Sequence, residues 1–296
     1  MKNIKTIIST VLFSLFLLAC ATEEKADGYG NFEATEITVS SEANGKLELL
    51  QIEEGQQVKK GEVLGLVDTL QLYLNKLQLL AVKETIASKS GGVWSQVEVL
   101  NEELKSAKIE QARLQNMFAD NAATQQQIDQ ANSRVDVLKK QIRNVESNNT
   151  PIINEGKAVA AQVAQIEEQL AKSKITNPIN GTVLIKYAEP GEVVSFGKPL
   201  YKIADLNTME LRVYISETQL SDIEIGQEVI VKVDVKDTMK DYKGKVSWIS
   251  SVAEFTPKII QTKEERVNLV YAVKILVEND GGLKIGMPAE MWLANE

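Results

Sequence analysis

The chain has 296 residues, 44% apolar and 25% charged, with a formal net charge of -8. This balance suits a folded protein of two or three parts and argues against a nucleic-acid partner, whose phosphates need clustered Lys and Arg. Histidine is absent and cysteine occurs once. Zinc sites, imidazole general bases and Ser-His or Cys-His nucleophile pairs are thereby excluded, and the chain reads as a non-enzyme with no cofactor and no metal.

Lys2 and Lys5 precede an uncharged run from Thr6 to Ala19. It is too short for a membrane span, which takes roughly 20 residues, but fits the apolar region of a signal peptide over residues 1–19. The run ends Leu17-Leu18-Ala19-Cys20, which resembles the lipobox of bacterial lipoproteins. That resemblance implies a lipid on Cys20; the alternative is an ordinary signal peptide with an incidental cysteine. Residues 20–36 are polar, contain two glycines and read as a tether.

Two stretches then share one pattern. NGKLELLQIEEGQQVKKGEVL from Asn44 and NGTVLIKYAEPGEVVSFGKPL from Asn180 align without a gap at an offset of 136, with seven identities including three glycine turns. Short apolar runs between glycine turns predict small strands. Each copy is too small to cover its own apolar face, so the two are expected to cover each other. They resemble the halves of a lipoyl/biotinyl domain, the first within 37–68 together with a leading strand and the second over 176–205. A biotin or lipoyl carrier is one alternative, but the modified-lysine motif of such carriers is missing.

Residues 69–175 separate the halves. Val93, Val97, Leu100, Leu104, Ala107, Leu114 and Phe118 recur at spacings of four and three, with Gln111 as the polar entry, and Ile128, Ala131, Val135, Leu138, Ile142 and Val145 do the same. These are coiled-coil seams, and the break at 119–123 predicts an antiparallel helical hairpin. Nearer the sandwich, Leu70, Tyr73, Leu77 and Leu80 are expected to face Val159, Val163, Ile166 and Leu170. Gly91-Gly92 and Pro151 lie at similar distances from the turn. Gly costs about 1 kcal/mol and Pro about 3 kcal/mol in a helix interior, so the pair suggests a joint at one height.

From residue 206 to 296 several runs alternate with period two: Leu211, Val213, Ile215; Val229, Val231, Val233, Val235; Val246, Trp248, Ser250; and Val273, Ile275, Val277. With a short helix near Glu217 to Ile223, they predict a small antiparallel β-barrel. Ile37 and Val39 are candidates for one more barrel strand. The expected fold class is therefore an elongated multidomain α+β protein: a long antiparallel coiled-coil hairpin inserted into a split lipoyl-like β-sandwich, followed by a β-barrel.

This order, with the lipidated start, resembles the periplasmic adaptor subunits of tripartite export systems, also called membrane fusion proteins or the haemolysin-secretion (HlyD-like) adaptor family. Barrel segments that share the resemblance are Gly226-Gln227, Phe255-Thr256-Pro257 with Gln261-Thr262, and Gly286-Met287-Pro288. Adaptors that meet a tunnel-type outer-membrane channel carry Arg-Leu-x2-Leu-x6-Ser-x3-Leu-Asp-x-Ala at the hairpin tip. Here Arg113, Leu114, Asp129 and Ala131 match, while Met117, Thr124 and Ile128 are substitutions of like type. Leu114 and Ile128 also lie on the seams, Arg113 and Asp129 also read as solvated helix-face charges, and Thr124 also reads as a helix cap.

The resemblance implies a homo-oligomeric ring, six copies in the expected form, lipid-anchored in the periplasm to the outer leaflet of the inner membrane. It also implies an inner-membrane transporter and an outer-membrane channel as partners. Adaptors of resistance-nodulation-division pumps continue into a further membrane-proximal domain, and the chain stops soon after its barrel, which favours an ABC exporter. Alternatives are an adaptor of that other pump class and a lipid-anchored coiled-coil scaffold without a transport role.

Overall fold

The computed structural model describes residues 25–236, 238–255 and 269–293. The predicted signal peptide, Cys20, Thr256-Pro257 and Gln261-Thr262 lie outside the described residues.

Two four-stranded sheets form the sandwich. In chain order the strands are β2 (Glu36–Ser40), β3 (Gly45–Leu50), β4 (Gln57–Val58), β5 (Val63–Val67), β6 (Lys174–Thr176), β7 (Gly181–Lys186), β8 (Val193–Val194) and β9 (Pro199–Ala204), after β1 (Gly28–Glu33), which belongs elsewhere. One sheet runs β2-β9-β7-β4 and the other β6-β5-β3-β8. Neither copy completes a sheet alone, because the short strand of each pairs with the long strand of the other: β4 with β7 (Val58 opposite Gly181) and β8 with β3 (Val194 opposite Gly45). The same offset governs the loops. Gly55 N donates to Val183 O at 2.8 Å and Gly191 N to Leu47 O at 2.7 Å; Gly61 N donates to Asn177 O and Gly197 N to Ser41 O, both at 2.8 Å.

The core between the sheets draws on both copies, with Leu47, Leu50, Val58, Leu64 and Val67 from one and Val183, Val194, Leu200, Tyr201 and Ile203 from the other. Burying each Leu, Val or Ile stabilises by roughly 1.5–3 kcal/mol, and it needs the opposite copy to do so. Tyr201 has no exposed surface, and its hydroxyl donates to Asn177 Oδ1 at 3.1 Å. Burial pushes its phenol up to about 12.

Helix α1 (Leu70–Ala119) leaves β5, and α2 (Gln125–Lys172) returns to β6. Both run unbroken through Gly91-Gly92 and Pro151. Val97, Leu104, Val135, Leu138 and Ile142 are buried between them, with Leu100, Ala107 and Val145 packed alongside. The polar entry Gln111 is paired across the seam, its Nε2 donating to Asn132 Oδ1 at 2.7 Å. Near the sandwich the expected partner set is corrected on one side. Val159 and Val163 are buried, but Leu70, Tyr73, Leu77 and Leu80 are exposed, and Leu70 is 63% open. The α1 seam arrives there through Ile86, Leu79 and Leu72, which are buried or half-buried. The apolar stripe lies one position further round, about 100° away on a helix of 3.6 residues per turn.

The barrel closes as β10-β1-β15-β11-β12-β14 and back to β10, all antiparallel, with β10 (Thr208–Ser216), β11 (Glu228–Val235), β12 (Thr238–Ile249), β14 (Leu269–Glu278) and β15 (Pro288–Leu293). The two-residue β13 (Glu254–Phe255) adds to β14. A 3-10 helix covers Glu217–Asp222, where a short helix was expected. Phe32, Leu211, Val213, Val231, Ile275 and Met291 fill the interior.

Three expectations change here. Residues 28–33, expected within the tether, form β1 and close the barrel between β10 and β15. Its inward positions are Gly28, Gly30 and Phe32, so glycine hides the alternation. A Cβ at Gly30 would sit 1.8 Å from the Arg212 carbonyl oxygen, so the glycine is there for close approach. Ile37 and Val39 belong to β2 and pair with β9 in the sandwich. A bulge between Val246 and Trp248 turns Val246 inward and Trp248 outward, which breaks the expected single face.

Candidate functional site

The tip of the hairpin carries the predicted contact residues. Helix α1 ends because Asn121 adopts a left-handed backbone at φ 53°, which Asn tolerates better than most residues. Ala122 N then donates to Met117 O at 2.7 Å and Asn121 N to Phe118 O at 3.0 Å. Helix α2 starts with a capping box: Thr124 Oγ1 accepts from Gln127 N at 3.3 Å, and Gln127 Oε1 accepts from Thr124 N at 2.8 Å. The turn is thus held by local bonds at both ends.

Each predicted residue has a distinct place on this frame. Leu114 and Ile128 are half-buried in the seam, so their apolar character follows from helix packing. Thr124 is the cap. Arg113 and Met117 are exposed and four residues apart, which puts them on one flank of α1. Arg113 pairs with Glu110 at 2.7 Å, and the hydrogen bond to that carboxylate, aided by its charge, raises the guanidinium pKa. Asp129 accepts from Gln125 Nε2 at 2.9 Å on the outer side of α2. Arg113 and Asp129 are therefore held by neighbours on their own helices and are not brought together. Met117 is 38% exposed and Phe118, which the seam pattern placed inside, is 42% exposed. They leave adjacent apolar side chains open at the end of a long rod. Phe118 was missed as a surface residue because the turn begins before a facing partner is available.

Among the described residues no group of three His, Cys, Asp or Glu side chains is placed to hold a metal. No helix among them is long and apolar enough to cross a membrane.

Comparison with known proteins agrees with this architecture. Residues 35–206 match the family model for the RND MFP barrel-sandwich hybrid domain, and residues 209–292 match that for the YknX-like beta-barrel domain. The chain is 29% identical over 292 residues to a UPF0194 membrane protein of Enterobacter sp. (strain 638), covering 88% of this chain and 86% of the relative. It is 27% identical over 300 residues to another from Citrobacter koseri, covering 90% and 88%. Among solved structures, MacA from Actinobacillus actinomycetemcomitans superposes with a TM-score of 0.54 at 23% identity over 89% of this chain and 76% of that one. The membrane fusion protein Spr0693 from Streptococcus pneumoniae R6 gives 0.51 at 18% identity, covering 90% and 98%. These two likenesses concern the fold. The family model that spans more than half of the sequence, on a sandwich split by a long hairpin and followed by a barrel, settles the assignment: this chain belongs to the membrane fusion protein family, the adaptors of efflux pumps.

Proposed function

We propose that the chain links an inner-membrane ABC exporter to an outer-membrane channel, with the hairpin tip as the channel-docking end. The observation that carries this reading is the hairpin itself. Helices of 50 and 48 residues project roughly 75 Å at 1.5 Å per residue, a reach that no pocket in the sandwich or barrel needs. At its end stand Met117 and Phe118, two exposed apolar side chains beside Arg113, a surface suited to a protein partner. The other end is held at a membrane by a lipid on Cys20 after removal of residues 1–19, on the outer leaflet of the inner membrane. Copies assemble as a ring of six. The exposed stripe of Leu70, Tyr73, Leu74, Leu77 and Leu80 on α1 supports lateral contact between neighbouring hairpins, since monomeric proteins seldom leave such a patch open. The work is mechanical and sealing, without catalysis.

A resistance-nodulation-division pump is the second reading for the inner partner, favoured by the family model's own description as RND MFP. The two readings predict different co-purifying transporters. A photo-cross-linking residue at Met117 in the full chain tests the docking end: capture of an outer-membrane channel is expected. Cross-links only between copies would leave the scaffold reading in place.

A further inference from the structure

We propose that the hairpin bends about a pivot at the height of Asn149, and that the buried amide of this residue biases it toward opening. Asn149 is 3% exposed, and neither its Nδ2 nor its Oδ1 has a hydrogen-bond partner within the chain. A buried amide in that state has lost water and gained nothing, so any motion that wets it is favoured.

Three further features meet at this height. The register is set by Gln111 with Asn132 and by Lys76 with Glu167 at 2.8 Å, and it puts Pro151 opposite Gly91-Gly92. Pro151 lacks an N–H, which leaves the Ser147 carbonyl without its helical donor on an exposed face. Gly91 and Gly92 are not demanded by packing, since a Cβ at either would meet nothing within 4 Å, and neither has a positive φ. Their remaining effect is to loosen α1. The apolar seam is also diluted by polar residues here. On the tip side lies the cluster of Val97, Leu104, Val135, Leu138 and Ile142, and on the sandwich side lie Ile86, Val159 and Val163. Between them the seam positions alternate polar Ser90 and Asn149 with half-buried Val93 and Ile152. Both helices are thus weakened at the height where a buried polar residue without a partner enters the seam, although each remains helical. A straight rod keeps the amide dry, and a bent one opens the seam and hydrates it.

Hydrogen exchange on the full chain, purified from membranes, reads this directly. Peptides over 86–93 and 145–152 should exchange faster than those over 97–104 and 135–142. Asn149→Leu should slow exchange at the pivot roughly tenfold, the scale set by one unpaired buried amide, and leave the other peptides unchanged. Spin labels at Lys60→Cys and Gln115→Cys should give a broad distance distribution that narrows in the Asn149→Leu background, with Asn149→Ala as a second variant if Leu perturbs folding. Uniform protection along both helices, or pivot exchange unaffected by either variant, overturns the proposal. No pump or channel takes part in these measurements, so their failure leaves the adaptor reading intact.

Discussion

The two copies of the sandwich unit share a backbone plan and differ in their turns. Asn44 Oδ1 accepts from Phe196 N, and Asn180 Oδ1 accepts from Lys60 N, both at 2.8 Å. Each copy therefore pins the third glycine turn of the other. The turn itself is free to vary: one copy has Gln57, Lys59 and Lys60 where the other has Val193, Ser195 and Phe196. Val193 is 76% and Phe196 74% exposed, so neither contributes to the core. At this turn the shared Val58 and Val194 are buried and answer to folding, whereas the unshared turn residues face outward and are open to other demands.

The comparison can be broken most forcefully at the glycines that open each unit. A Cβ at Gly181 would lie 2.5 Å from the Ala204 carbonyl oxygen, whereas at Gly45 the nearest atom is a Val67 methyl at 3.0 Å. Backbone cannot give as a side chain can. Gly181→Ala should destabilise the sandwich by about 3 kcal/mol and Gly45→Ala by about 2 kcal/mol, because the Gly45 φ of 153° disfavours any side chain even where there is room, read as shifts in the urea midpoint. Equal losses would show that the two sites are equally constrained.

Next in size are the reciprocal asparagines. Asn44→Ala and Asn180→Ala should each cost about 1 kcal/mol, the ordinary net worth of one hydrogen bond, and should cost the same within error in thermal denaturation. A clear inequality would mean that the approximate two-fold relation does not extend to energetics.

The smallest effect separates Gln56 from Glu192, which occupy equivalent positions. Gln56 Oε1 accepts from Glu53 N at 2.9 Å, and Glu192 Oε1 accepts from Glu189 N at 3.3 Å. Only the second is titratable. Its pKa is lowered, chiefly by the hydrogen bond from Lys198 and then by the Glu189 amide. A depressed carboxylate contributes stability that is present above its ordinary pKa of 4.5 and is lost as pH falls through the lower folded value. Acid should therefore loosen the second copy's turn before the first, followed by amide chemical shifts at Glu189 and Glu53. Glu192→Gln should abolish the difference.

Much of this architecture was legible in advance because its signals are local. The glycine turns of the repeat, the four-three spacing through Val97, Leu104, Leu138 and Ile142, and the alternation of Leu211, Val213 and Ile215 each report a period that the backbone imposes. Residues whose role depends on a distant partner were misread. β1 looked like a tether because its inward positions are mostly glycine, chosen for the approach of Arg212. Leu70, Tyr73, Leu77 and Leu80 looked like a seam because periodicity shows that a helix has an apolar face without showing which neighbour covers it. At the tip, the motif spacing located Arg113, Met117, Thr124 and Asp129. It could not show that each charge is held by its own helix.

By itself the sequence determined that two half-sandwiches must meet and that a helical hairpin must leave and return between them, because a small apolar face cannot remain uncovered in water. Only the tertiary structure decided how the copies interlock, which strand closes the barrel and that Asn149 is buried without a partner. These depend on side chains far apart in the chain arriving at one place, and no local period records that.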